Sequence, residues 1–108
     1  MPSELPINIE PTGTTPRVKF VPASLSVSIA GQQKFFWSNN DSEPHWPVAV
    51  VNGQQRPDIF GIDKPIPGKP ADGPAPTSAA VFLQTPGTFN YECAVAGHNG
   101  ETGTIVTS

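Results

Sequence analysis

Pro86-Gly87-Thr88-Phe89-Asn90-Tyr91-Glu92-Cys93-Ala94-Val95-Ala96-Gly97-His98-Asn99-Gly100-Glu101-Thr102-Gly103-Thr104-Ile105 is the most informative stretch of this sequence. Phe89, Tyr91 and Cys93 alternate onto one face of a strand, which turns Cys93 inward at the strand's end. Gly103 to Thr107 reads as a final strand. The loop between them is short, polar and glycine-bearing. A thiolate and an imidazole five residues apart on such a loop can converge on one metal ion, with Glu101 as a third ligand three residues on. A further imidazole must come from elsewhere, and the other histidine of the chain is His45.

Upstream, the same period-2 alternation marks Val18 and Phe20, then Leu25, Val27 and Ile29 set among Ser24, Ser26 and Ser28. Lys34 to Trp37 forms another strand. Asn39-Asn40-Asp41-Ser42 breaks it with residues that favour turns through local side-chain hydrogen bonds; Asn40-Asp41-Ser42 also fits a glycosylation acceptor, a short pattern better explained by the turn. A strand from Val48 to Val51 follows Pro44-His45-Trp46-Pro47. Residues 52 to 78 hold six prolines and four glycines and read as one long loop, with a short strand or turn near Ile59-Phe60. Ala80 to Leu83 reads as a strand again. Residues 1 to 16, with four prolines, read as an extended tail or edge segment outside the core. The organisation is therefore a lead-in at 1–16 and one domain at 17–108, an all-β sandwich or barrel of seven or eight strands without a helix.

The 108 residues, 36% of them apolar, suffice for one modest core. Fourteen prolines and ten glycines argue against long helices. A net charge of −3 without a basic run excludes nucleic acid as a natural partner. No apolar run approaches the roughly 20 residues that cross a bilayer, so the chain is not expected to be transmembrane. The N-terminus lacks the pattern of a signal peptide, so an exported form is expected to have lost its signal. With one cysteine there is no internal disulfide, and that thiol is buried, reactive or bound.

Three segments together carry a family resemblance. Phe35-Phe36-Trp37-Ser38-Asn39-Asn40-Asp41-Ser42-Glu43-Pro44-His45 resembles the strand, Asn-Asp turn and first copper histidine of plastocyanin and azurin-like cupredoxins. Pro86 to Cys93 resembles their Pro-Gly-Thr-aromatic-x-Tyr-x-Cys strand. His98-Asn99-Gly100-Glu101-Thr102-Gly103-Thr104-Ile105 is similar to their His-Pro-Gly-Met-x-Gly-x-Ile ending. Phe20, Pro22, Leu25, Val27 and Gly31 fit the first strands, so the resemblance spans roughly residues 17 to 107. It implies a Greek-key β-sandwich with one copper ion, Cu(II)/Cu(I), near the surface at one end. His45, Cys93 and His98 carry over as equatorial ligands, a site type that handles electron transfer. It also implies a periplasmic or extracellular mature protein, not an enzyme, and a redox partner docking near His98.

Two departures from the family pattern matter. Glu101 stands at the axial methionine position when the Gly103-x-Ile105 ending stays in register; counting forward from His98 as in longer loops puts Thr102 or Gly103 there. The gap-free match favours Glu101. A hard anionic oxygen favours Cu(II), which lowers the potential and weakens blue character. The second is Trp46, standing where many members have an asparagine that ties the two ligand loops together. The functional readings that remain are an electron carrier, a copper- or small-ligand-binding protein not specialised for electron transfer, and a metal-free interaction domain. A Cys-His nucleophilic enzyme lacks an orienting partner in the sequence, while Cys, two His and Glu would also satisfy zinc.

Overall fold

A computed structural model describes residues 4–14, 16–98 and 100–108. The described residues form eight strands and one short helix: β1 Glu4–Pro11, β2 Val18–Val21, β3 Ser24–Val27, β4 Lys34–Asn39, β5 Pro47–Val51, β6 Gln54–Arg56, α1 Pro57–Phe60, β7 Gly87–Cys93 and β8 Thr102–Thr107. They make a sandwich of a three-stranded sheet ordered β2-β1-β4 and a five-stranded sheet ordered β3-β8-β7-β5-β6. The β1/β4 and β3/β8 pairs are parallel and the others antiparallel. Of the sandwich or barrel that the alternating pattern allows, this is the sandwich that the family resemblance implies.

Between the sheets, Ile7, Ile9, Val18, Phe20, Phe35 and Trp37 from one side meet Val27, Ala49, Tyr91 and Ile105 from the other. Aromatic rings join the layers. Trp37 and Tyr91 lie edge-on at 5.2 Å, Phe20 meets Tyr91 at 4.9 Å, and Phe60 of α1 closes on Trp37 at 5.0 Å, geometries that add to the area they bury. Gly103 faces Tyr91 across the β7/β8 ladder. A Cβ there would collide with the tyrosine ring and hydroxyl, so the glycine makes room for the ring.

The expectation that residues 1–16 are a tail outside the core is corrected: Glu4–Pro11 is the central strand of the smaller sheet, with Ile7 and Ile9 fully buried. Two prolines in a central strand are tolerated because the neighbours are offset. Strand β4 pairs with residues 4 to 9 and β2 with residues 8 to 11, so Pro6 and Pro11 each have a partner strand on one side only. Residues 1–3 and Thr15 of that expectation lie outside the described residues.

The long loop expected at 52–78 is also partly corrected. Asn52 and Gly53, both at positive φ, turn β5 into β6 as a two-residue hairpin. The short strand or turn expected near Ile59-Phe60 is α1, a single helical turn closed by Gly61 in the left-handed conformation. The remainder runs along the outer edge of β4. Asn39 N donates to Pro76 O at 2.8 Å and Ser78 N to Trp37 O at 2.9 Å, while Phe35 and Val81 exchange two bonds at 2.7 and 3.0 Å. An edge that would otherwise invite another chain is thereby covered. The strand expected at Ala80–Leu83 shrinks to the Phe35–Val81 bridge. The bridge falls one residue from the start of β4 at Lys34, so the antiparallel segment runs off that end of the strand after Phe82.

Candidate metal centre

At one end of the sandwich His45, Cys93, His98 and Glu101 come together, each buried, with one ligand atom apiece and all four atoms within 4.8 Å of one another. Cys93 ends β7, facing inward as the alternation Phe89, Tyr91, Cys93 requires. The loop to β8 doubles back through Gly97 and Gly100, both at positive φ, and returns His98 and Glu101 to the thiol. Asn99, part of the family-like ending, lies outside the described residues. Thr102 is exposed and Gly103 packs under Tyr91, so of the three axial candidates Glu101 is the one whose side chain enters the cluster.

The two imidazoles present their Nδ1 atoms to the sulfur, at 3.8 Å from His45 and 3.5 Å from His98. Glu101 Oε1 lies 3.0 Å from His45 Nδ1 and 3.4 Å from His98 Nδ1. Its other oxygen, Oε2, is buried with no hydrogen-bond partner among the described residues. Burial raises the Cys93 thiol from its ordinary 9.0 to about 11, with the nearby Glu101 carboxylate adding to the rise and the backbone N–H groups of Trp46 and Val95 opposing it. Uncompensated polar atoms in a dry site are costly. A cation among these four atoms would answer that cost, and thiolate, two imidazoles and a carboxylate suit copper or zinc.

The loop bearing His45 is held from several sides. Fully buried Asn39 donates through Nδ2 to Glu43 O at 2.9 Å and Pro67 O at 3.0 Å, and its Oδ1 accepts from Asp41 N at 3.0 Å. His45 and Ile66 exchange backbone bonds at 3.1 and 2.8 Å. Gly68 lies so close to Ser42 that a side chain there would strike its carbonyl. The tie between ligand loops, which the asparagine makes in many family members, is made here by the Trp46 main chain. Its N–H donates to Cys93 Sγ at 3.4 Å, and its carbonyl accepts from Ala94 N at 2.8 Å. Its indole Nε1–H anchors Ile62 O at 2.8 Å. Sequence reasoning left one contact out: Asp41, read as a turn residue, accepts from His45 Nε2 at 2.8 Å. Its spacing of four residues before the histidine was the available signal.

Neither a protein-family model nor a curated protein matches the sequence. Solved structures do. A novel purple cupredoxin from Nitrosopumilus maritimus is 20% identical and superposes with a TM-score of 0.72, covering 96% of this chain and 99% of that one. Oxidised plastocyanin from Dryopteris crassirhizoma is 16% identical with a TM-score of 0.65, covering 95% and 99%. Amicyanin from Paracoccus versutus is 16% identical with a TM-score of 0.56, covering 97% and 81%. The architecture is that of the cupredoxins, in agreement with the resemblance of the sequence motifs.

Proposed function

We propose that this cupredoxin-fold protein binds one copper ion through His45 Nδ1, Cys93 Sγ, His98 Nδ1 and the Glu101 carboxylate, and that it carries electrons rather than catalysing a reaction. The observation that carries this reading is the buried convergence of those four ligand atoms within 4.8 Å. Amicyanin, a structural neighbour, is known in a Cu(I) form. Copper would supply a one-electron Cu(II)/Cu(I) couple at the site. The protein's part is to keep the ligands still. Backbone bonds on both sides of His45 and the Trp46–Ala94 tie hold the donor atoms in place, so little has to rearrange when the charge changes.

His98 is 8% exposed whereas His45 is fully buried, so a partner protein would approach from the His98 side. Among the described residues no helix is long and apolar enough to cross a membrane; the likeness to cupredoxins supports a periplasmic or extracellular setting. A second reading, a copper- or small-ligand-binding protein unsuited to fast electron transfer, draws support from Glu101, whose hard oxygen favours Cu(II). Adding Cu(II) should give an intense visible thiolate band that Cys93→Ser abolishes; strong colour in that variant overturns the ligand assignment. Rapid, reversible voltammetry of the loaded protein supports the carrier, and sluggish, irreversible cycling supports the second reading.

A further inference from the structure

Asp41 lies in the turn between β4 and His45, and three main-chain bonds aim it. Its N–H donates to Asn39 Oδ1 at 3.0 Å, its carbonyl accepts from Lys69 N at 2.8 Å, and Oδ2 accepts a long 3.4 Å bond from Glu43 N. The first two do not involve the carboxylate. That group's short contact, 2.8 Å, is to His45 Nε2, where the side chains are 13% and 0% exposed. The nearby cation Arg17 is engaged with Glu43. A turn needs no more than an asparagine or serine at this place, so the charge calls for another explanation.

An ionised carboxylate only accepts hydrogen bonds. Asp41 therefore holds a proton on His45 Nε2, which leaves Nδ1, the atom facing Cys93 and Glu101, to give its lone pair to a metal. An imidazole hydrogen-bonded to an anion is also the stronger electron donor. We propose that Asp41 is a positioning residue of the metal centre, one that fixes the tautomer and orientation of His45 and biases the bound metal toward its higher oxidation state. This rests on the reading of His45 as a copper ligand. Asp41 thus acts through His45 and touches no metal itself.

The test uses Asp41→Ala, which removes the acceptor, and Asp41→Asn, which keeps an acceptor oxygen without the charge. Nitrogen NMR of the metal-free proteins should show a proton on His45 Nε2 in wild type and Asp41→Asn, and a proton on Nδ1 alone, facing Glu101, in Asp41→Ala. Titrations of Cu(II) and Cu(I) should then show Cu(II) affinity falling about 10- to 100-fold in Asp41→Ala, with Cu(I) affinity falling less. Each tenfold difference between the two reads as a potential about 59 mV higher. In Asp41→Asn the potential should rise while the tautomer stays. An unchanged tautomer in Asp41→Ala, or unchanged potentials in both variants, overturns the proposal; should Asp41→Ala fail to fold, an unchanged potential in Asp41→Asn does so alone. If wild type binds no copper at Cys93, the copper reading fails instead, and the metal-free NMR still judges Asp41.

Discussion

In the proposed copper site, Glu101 is the residue that would separate it from a conventional blue-copper centre. It is 1% exposed, so its carboxylate acts on the neighbouring groups without solvent screening. Glu101→Met replaces a hard anion by a soft neutral thioether, which favours Cu(I). The potential should rise and the optical spectrum should move toward that of a blue site. Glu101→Gln, equal in size and uncharged, should raise the potential by a smaller amount. Identical spectra and potentials for wild type and Glu101→Met would remove the carboxylate from the coordination sphere.

At the scale of elements, β1 decides whether the smaller sheet exists. Strands β2 and β4 do not pair with each other; both pair with β1. Ile7 and Ile9 are fully buried among Val18, Phe35 and Trp37 in the core cluster. Removing most of such a side chain costs about 2 to 5 kcal/mol through lost burial and the cavity left behind. Ile7→Ala should therefore lower the denaturation midpoint in urea by that amount of stability, whereas a true tail would show almost no change. Polar Asn8, half-buried on the other face of β1, should tolerate alanine far better in the same titration.

At the scale of the whole molecule, the metal centre and the fold are linked. The metal-free protein carries a buried Cys93 thiol raised to about 11, above the 9.0 of an unfolded chain. Between those values the unfolded state has given up a proton that the folded state keeps, so stability falls as pH rises. Below pH 9 the contribution is fully present. Thermal melts of metal-free protein should thus lose ground from about pH 9 toward pH 11, and Cys93→Ser should flatten that slope. Copper binds the folded chain in preference to the unfolded one. A hundredfold excess of free copper over its dissociation constant stabilises by about 2.7 kcal/mol, so loading should raise the melting temperature at neutral pH.

Period-2 alternation around Phe89-Tyr91-Cys93, Val18-Phe20 and Leu25-Val27 determined an all-β sandwich or barrel, because side-chain direction in a strand depends only on position along it, and the family resemblance narrowed that to a sandwich. The spacing of Cys93, His98 and Glu101 likewise placed three donors on one short loop. The tertiary structure alone decided what depends on offset neighbours. Prolines at 6 and 11 argued for a tail, yet each falls where β1 lacks a second partner strand, and register of that kind is not written in either segment by itself. Asn52-Gly53 was a legible hairpin signal hidden among prolines. The reach of Asp41 to His45 needed the fold, because the Ile66 and Lys69 bonds that hold the turn and His45 come from the long loop and form only when it packs against the end of β4.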